Sequence, residues 1–257
     1  MTHFLEKINN SYDYRQRFPQ KNKGKKGRKL FKVNGETGSE LMSYVYEDVR
    51  KYKEELNQYV AILIEDDMDD RFFLDSKTGR DYELIEKRKS EIQDKIQDII
   101  QKPDIKVFFL YALPEIEGWF IADWENTFGM EYKNVLSNVN EYFSTTFRKF
   151  VKSNVLTEKF PFDEIENYGY ITLEYQKLSD KLIQSFQEYS YATENYKNNN
   201  MYNRQINELI KKNKITYSKK VEGINMLRRL EPEKVAISCR HYFSKSYAEL
   251  REFSCCQ

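Results

Sequence analysis

The chain has 257 residues, of which 40% are hydrophobic and 32% charged, so it can fill the core of one large domain or of a core domain with a helical addition. Lys and Arg number 42 against 41 Asp and Glu, but the balance conceals segregation: Lys21–Lys29 is basic and Glu65–Asp70 acidic, an asymmetry that marks a partner or ligand surface. The three cysteines are odd in number, with Cys255 and Cys256 adjacent, which argues against a disulfide scaffold, offers no zinc spacing and points to a reducing compartment; no apolar run nears the length of a membrane span and the start has no uninterrupted apolar leader, so the cytoplasm is the expected location and no membrane partner is expected.

Residues 1–28 are polar and basic and are expected to form a flexible arm, with Lys25 and Lys26 in its QKNKGKKGRK tract placed to neutralise phosphates. Lys29–Asn34 (KLFKVN) is short and apolar enough for a strand. Thr37-Gly-Ser-Glu40 has capping-box spacing, and Leu41, Val45, Val49, Tyr52 and Leu56 then mark one face of a helix. Tyr59–Ile64 (YVAILI) is an unbroken apolar run, as expected of a strand covered on both faces, and a polar loop follows from Glu65 to about Arg80. Ile85, Ile92, Ile96, Ile99 and Ile100 mark a second amphipathic helix, which Pro103 stops. Ile105–Ala112 (IKVFFLYA) reads as a third buried strand and Ile116–Trp124 as a third helix. Strands alternating with helices predict an α/β protein with a mostly parallel sheet flanked by helices.

Beyond Gly129 the pattern changes. Residues 129–213 are expected to form an added helical region, polar and aromatic, with YSYATENYKNNNMYN as a low-complexity loop. Residues 214–257 regain apolar content and return to the core, with Val235–Ser238 as a short strand and Ser246–Phe253 as a helix. The predicted organisation is therefore an arm over 1–28, a core over 29–128, a helical insertion over 129–213 and a C-terminal return over 214–257.

In open parallel sheets ligands bind beyond the carboxyl ends of the strands. Three acidic groups fall there: Glu36 after the first strand, Glu65, Asp66, Asp67, Asp69 and Asp70 after the second, and Glu115 and Glu117 after the third. Held together, like charges are costly, and a hard cation such as Mg²⁺ or Mn²⁺ relieves that cost. Such ions activate water and stabilise a leaving oxygen in phosphodiester cleavage. Lys219 and Arg240 are candidates to hold substrate phosphate. The simpler readings are that the acidic run is a solvated turn, that Glu36 and Glu115 are first-turn residues favoured by the helix dipole, and that Trp119 and Trp124 are core rather than stacking platforms. His3 and His241 have no partner motif, and no Walker A loop, G-x-S-x-G or dinucleotide fingerprint is present.

The segment Leu113-Pro-Glu-Ile-Glu-Gly-Trp-Phe-Ile-Ala-Asp123 resembles the E-x-E-x-W-[FL]-x-A-D signature of an uncharacterised family of prokaryotic Toprim-fold proteins, found beside ATPase genes in contexts of defence against foreign nucleic acid. Gly35-Glu36-Thr37 is similar to the family's acidic turn after the first strand. Glu65-x-Asp67 or Asp67-x-Asp69 is similar to its D-x-D, and Tyr217-Ser218-Lys219 to its late Y-S-K. The resemblance implies a Toprim fold and a metal-dependent endonuclease acting on DNA or RNA in anti-phage defence. Glu65, Asp67 and Asp69 would hold Mg²⁺ or Mn²⁺, Glu36 and Glu117 would manage protons, and Lys219, Arg240, Lys25 and Lys26 would hold substrate. The first turn departs from the family's E-G-x-T-E: it reads Asn34-Gly35-Glu36-Thr37-Gly38, so the acid position holds Asn34 and Glu36 is the residue that can stand in. A non-catalytic sensor or regulatory subunit of a partner ATPase is the alternative expectation, and a homodimer is compatible with either. A phosphotransfer receiver is disfavoured, because the third strand ends in no Thr/Ser–Lys pair.

Overall fold

The computed structural model describes residues 1–15, 38–68, 82–113, 115–131, 165–167, 177–180, 183 and 217–254. Its centre is a parallel pair of strands, β1 (Ala61–Asp67) and β2 (Lys106–Ala112), in register from Ala61 opposite Lys106 to Asp67 opposite Ala112. The expected strand at residues 29–34 lies outside the described residues. β1 begins two residues later than its apolar run and continues through Glu65, Asp66 and Asp67, residues expected in a loop. The backbone ladder carries it there, since Met68 N–H still donates to the Ala112 carbonyl at 3.0 Å. Polar side chains do not end a strand whose main chain is paired.

Side chains alternate across β2. Val107, Phe109, Tyr111 and Leu113 face one helical layer, while Phe108, Leu110 and Ala112 face the other. The first layer is α2 (Gly38–Lys51), α3 (Lys53–Leu56) and α4 (Tyr82–Ile100), which fills the connection between β1 and β2. α2 and α3 bury Met42, Val49 and Leu56, with Val45 and Tyr52 packed at the margin; Met42 takes the first place on the stripe, where Leu41 was expected. α4 buries Ile85, Ile92, Ile96 and Ile100, the spacing of a single helical face. It ends at Ile100 because Gln101 turns into the left-handed region at φ 60°, two residues before Pro103.

The second layer is α1 (Thr2–Ile8), α5 (Ile116–Ala122), α6 (Phe128–Glu131), α7 (Glu222–Arg229), α8 (Pro232–Ser238) and α9 (Phe243–Glu252). α1 corrects the reading of residues 1–28 as an arm. Phe4, Leu5 and Ile8 are buried, and Phe4 stacks on Trp119 at 5.7 Å. Lys7 and Asn9 add polar anchors: Lys7 Nζ donates to the Leu230 carbonyl at 3.0 Å just past α7, and Asn9 Nδ2 to the Leu250 carbonyl at 2.9 Å in the last turn of α9. An amphipathic turn of seven residues is helical here because its apolar face has a core to enter. Lys25 and Lys26 lie outside the described residues.

A second correction concerns Val235–Ser238, expected as a short strand and found within α8. Pro232 in the first turn fixes a helical φ, Glu233 suits the amino-terminal dipole, and Val235 is buried while Ile237 is exposed. The helix expected at Ser246–Phe253 is α9, begun three residues earlier. Trp119 and Trp124 are core residues, 0% and 3% exposed. Most of residues 129–213 lie outside the described residues. Among the described residues no helix is long and apolar enough to cross a membrane.

Candidate functional site

Because β1 and β2 run parallel, their carboxyl ends open on the same edge. Asp67, the last residue of β1, reaches from that edge to the start of α5, where its Oδ1 accepts the Ile116 N–H at 3.0 Å. Its Oδ2 accepts the Lys219 ammonium at 2.5 Å. The same ammonium stands 3.4 Å from Glu117 Oε2, in the first turn of α5. Glu117 Oε1 accepts the Tyr217 hydroxyl at 2.7 Å. A strand end, a short helix and the segment Tyr217–Lys219 are thereby joined, although Lys219 is 152 residues from Asp67. Ser218 N–H donates to Glu222 Oε2 at 2.8 Å, which pins the chain as it turns into α7 and sets where the Lys219 stem starts.

The three charges differ in burial. The Glu117 side chain is 0% exposed, that of Asp67 22% and that of Lys219 44%, so Lys219 covers the carboxylates from the solvent side. Burial pushes Glu117 above the ordinary carboxyl range, and Lys219 and the Tyr217 hydroxyl pull it only partly back. Burial acts downward on Lys219, but the Asp67 and Glu117 carboxylates overcome it and hold the ammonium charged well beyond its ordinary range. Glu117 Oε2 is buried and, among the described residues, accepts no hydrogen bond.

Glu65 sits two residues before Asp67 on the same strand, so the two side chains share a face. Glu65 is solvent-exposed, yet protein crowded around its carboxyl raises it to about 7; the Met1 ammonium opposes this, and the Asp67 and Asp66 carboxylates add to it. Among the expected site residues, then, the fold brings together Asp67, Glu117 and Lys219, with Glu65 alongside. Arg240 lies in the turn between α8 and α9, where its Nε donates to the Ile237 carbonyl at 3.0 Å. Glu36, Asp69 and Asn34 lie outside the described residues. Among the described residues no group of three or more His, Cys, Asp and Glu side chains is arranged to hold a metal ion. Two carboxylates on one edge still meet the needs of magnesium, which takes one or two carboxylates and fills its shell with water and phosphate.

The other acids of the Glu115–Asp123 segment have structural work. Glu115, a candidate at the strand end, accepts the Leu178 N–H at 2.8 Å and the Ser179 hydroxyl at 2.9 Å. Asp123 accepts the Glu231 N–H at 2.9 Å ahead of α8, with Lys234 Nζ at 3.5 Å. Each acid of this segment thus ties α5 or its end to a different downstream stretch. Tyr217 stands in the Tyr217-Ser218-Lys219 motif, but sequence alone assigns it no role; its hydroxyl on Glu117 makes it a residue of the site. No protein-family model matches this chain, and neither does any curated protein or solved structure.

Proposed function

We propose that the chain is a metal-dependent endonuclease of the Toprim type, acting on DNA or RNA in prokaryotic anti-phage defence within the cytoplasm. The observation that carries this reading is the meeting of Asp67, Glu117 and Lys219 at the carboxyl edge of a parallel strand pair. Asp67 and Glu65, with Asp69 next along the chain, are the residues that would hold Mg²⁺ or Mn²⁺. The ion, when bound, supplies an activated water and charge stabilisation of the leaving oxygen. The residues of the chain do the rest. Lys219, half-exposed at the mouth, presents a cation to a phosphate. Glu36 or Glu117 manages protons, and Glu117 is suited to it because burial lifts it toward neutral pH. Lys25, Lys26 and Arg240 would extend the cationic track.

Full-length protein is to be incubated with plasmid DNA and with total tRNA in Mg²⁺ or Mn²⁺, alone and with a neighbouring ATPase. Cleavage by the wild type that is lost in Asp67→Asn and Glu36→Gln supports the enzyme. Absence of cleavage by folded, metal-loaded protein overturns it.

One observation favours a second reading, a non-catalytic sensor or regulatory subunit of a partner ATPase. Lys219 already bridges Asp67 and Glu117 inside the fold, and Asn34 stands where the resembled family has an acid. Co-purification with the ATPase and a change in its turnover, without cleavage, would favour that reading; a homodimer is compatible with both.

A further inference from the structure

We propose that Asp67 and Glu117 together ligate the divalent cation, and that the Lys219 ammonium occupies the cation's place in the metal-free protein. The inference rests on the metal-dependent reading of this site and deepens it. It also reassigns Glu117 from proton management to ligation, which leaves the proton to Glu36.

Three observations lead there. Glu117 is fully buried and, among the described residues, its Oε2 accepts no hydrogen bond and is met by the Lys219 ammonium at 3.4 Å, although a buried acceptor is costly to leave without a hydrogen bond. Its other oxygen is held by the Tyr217 hydroxyl at 2.7 Å, which fixes the carboxylate so that Oε2 is the atom on the Lys219 side. The charge that faces it is mobile in kind: Lys219 is a flexible four-carbon stem, 44% exposed, bridging Glu117 Oε2 at 3.4 Å and Asp67 Oδ2 at 2.5 Å. A single ammonium here bridges two carboxylates from separate elements. A divalent ion in that position would meet one oxygen of each, and its preference for one or two carboxylates with water suits the pair. The ammonium and the ion cannot share the position, so metal entry releases Lys219 toward solvent. There its charge is available to a phosphate at the mouth of the site. The cationic substrate contact is thus withheld until the metal is present.

The test is calorimetric titration of the full chain with Mn²⁺ alone, for wild type, Lys219→Met, Asp67→Asn and Glu117→Gln. It is paired with acetylation of wild-type lysines by a small reagent, read by mass spectrometry with and without Mg²⁺. Removal of the competing ammonium is expected to tighten Mn²⁺ binding about tenfold in Lys219→Met, and Glu117→Gln is expected to weaken it by at least about as much. Acetylation of Lys219 is expected to rise when Mg²⁺ is added. Glu117 is buried and its variant is first checked for folding, but the Lys219 variant and the unsubstituted protein carry the test without it. Lys219→Met binding Mn²⁺ no tighter than wild type, or Lys219 acetylation indifferent to Mg²⁺, overturns the proposal. If Asp67-dependent binding persists in the wild type while either of those results is obtained, the metal reading stands and only the exchange falls. If neither wild type nor Lys219→Met binds Mn²⁺, both fall.

Discussion

The two faces of the strand pair are built on different rules. Toward α2, α3 and α4 the core is aliphatic, with Ile64, Ile85, Ile92, Ile96, Ile100 and Val107 at its heart. Toward α1, α5 and α7–α9 it is aromatic, and its segments bury Glu115, Glu117, Asp123, Glu166, Thr127 and Ser246. The first face coheres by burial of apolar area, which is non-directional and forgiving of small changes in shape. The second adds buried acceptors that must each find donors, since an unpaired one costs more than a paired one contributes. The candidate site lies on this second face, which already holds desolvated charge in fixed positions.

The comparison predicts unequal responses to substitution. The largest is expected at Glu166, in a single helical turn at Ile165–Asn167. Its carboxylate accepts the N–H groups of His241, Tyr242 and Phe243 at 2.7, 3.1 and 2.9 Å and so caps α9 from a distance of 75 to 77 residues. Glu166→Ala removes one side chain and strands three backbone donors; urea denaturation is expected to show a loss of about 4 kcal/mol. On the aliphatic face Ile96→Val removes one methyl group from a fully buried position. It is expected to cost about 1 kcal/mol in the same measurement, with no effect on the site. Equal losses at the two positions would show that the buried acid is less committed than its contacts imply.

The pH dependence sharpens the comparison further. Glu65 is raised to about 7 by the protein around it, so between the ordinary carboxyl range and that value the folded state holds a proton that the unfolded state has released, an effect that its exposure to solvent keeps small. Stability of the metal-free protein therefore falls as pH rises through that window. Thermal melting at a series of pH values should show the fall in the wild type and a flatter profile in Glu65→Gln. The smallest effect is expected at Gln101, whose positive φ closes α4 on the aliphatic side. Gln101→Gly relieves that strain and should raise stability by about 0.5–1 kcal/mol.

What could be read from residues alone follows the same division. The α2 and α4 stripes, and β2 to within one residue, were legible because each is a local period written in consecutive positions. Parallel pairing followed from the alternation of strands and helices. Asp67, Glu117 and Lys219 were legible as candidates because strand ends and short motifs mark them. That they touch was not legible, since the contact spans up to 152 residues and depends on which rotamers meet. Nor was the structural role of Glu115 and Asp123, whose backbone N–H donors lie 63 and 108 residues further along the chain. α1 escaped because seven residues are too few for a periodic signal, and α8 because Val-Ala-Ile favours a strand locally while Pro232 and the core favour a helix.

The anchoring of α1 also sets an order of assembly. Lys7 and Asn9 find their acceptors 223 and 241 residues further along the chain. At roughly 5–20 residues per second of synthesis, those acceptors leave the ribosome about 10–50 s after α1 does. Until then Phe4, Leu5 and Ile8 lack the part of their core that α7–α9 supply. α1 is therefore made well before it can be fully seated, and docking it is the step that fastens residues 2–9 to the segment from α7 to α9.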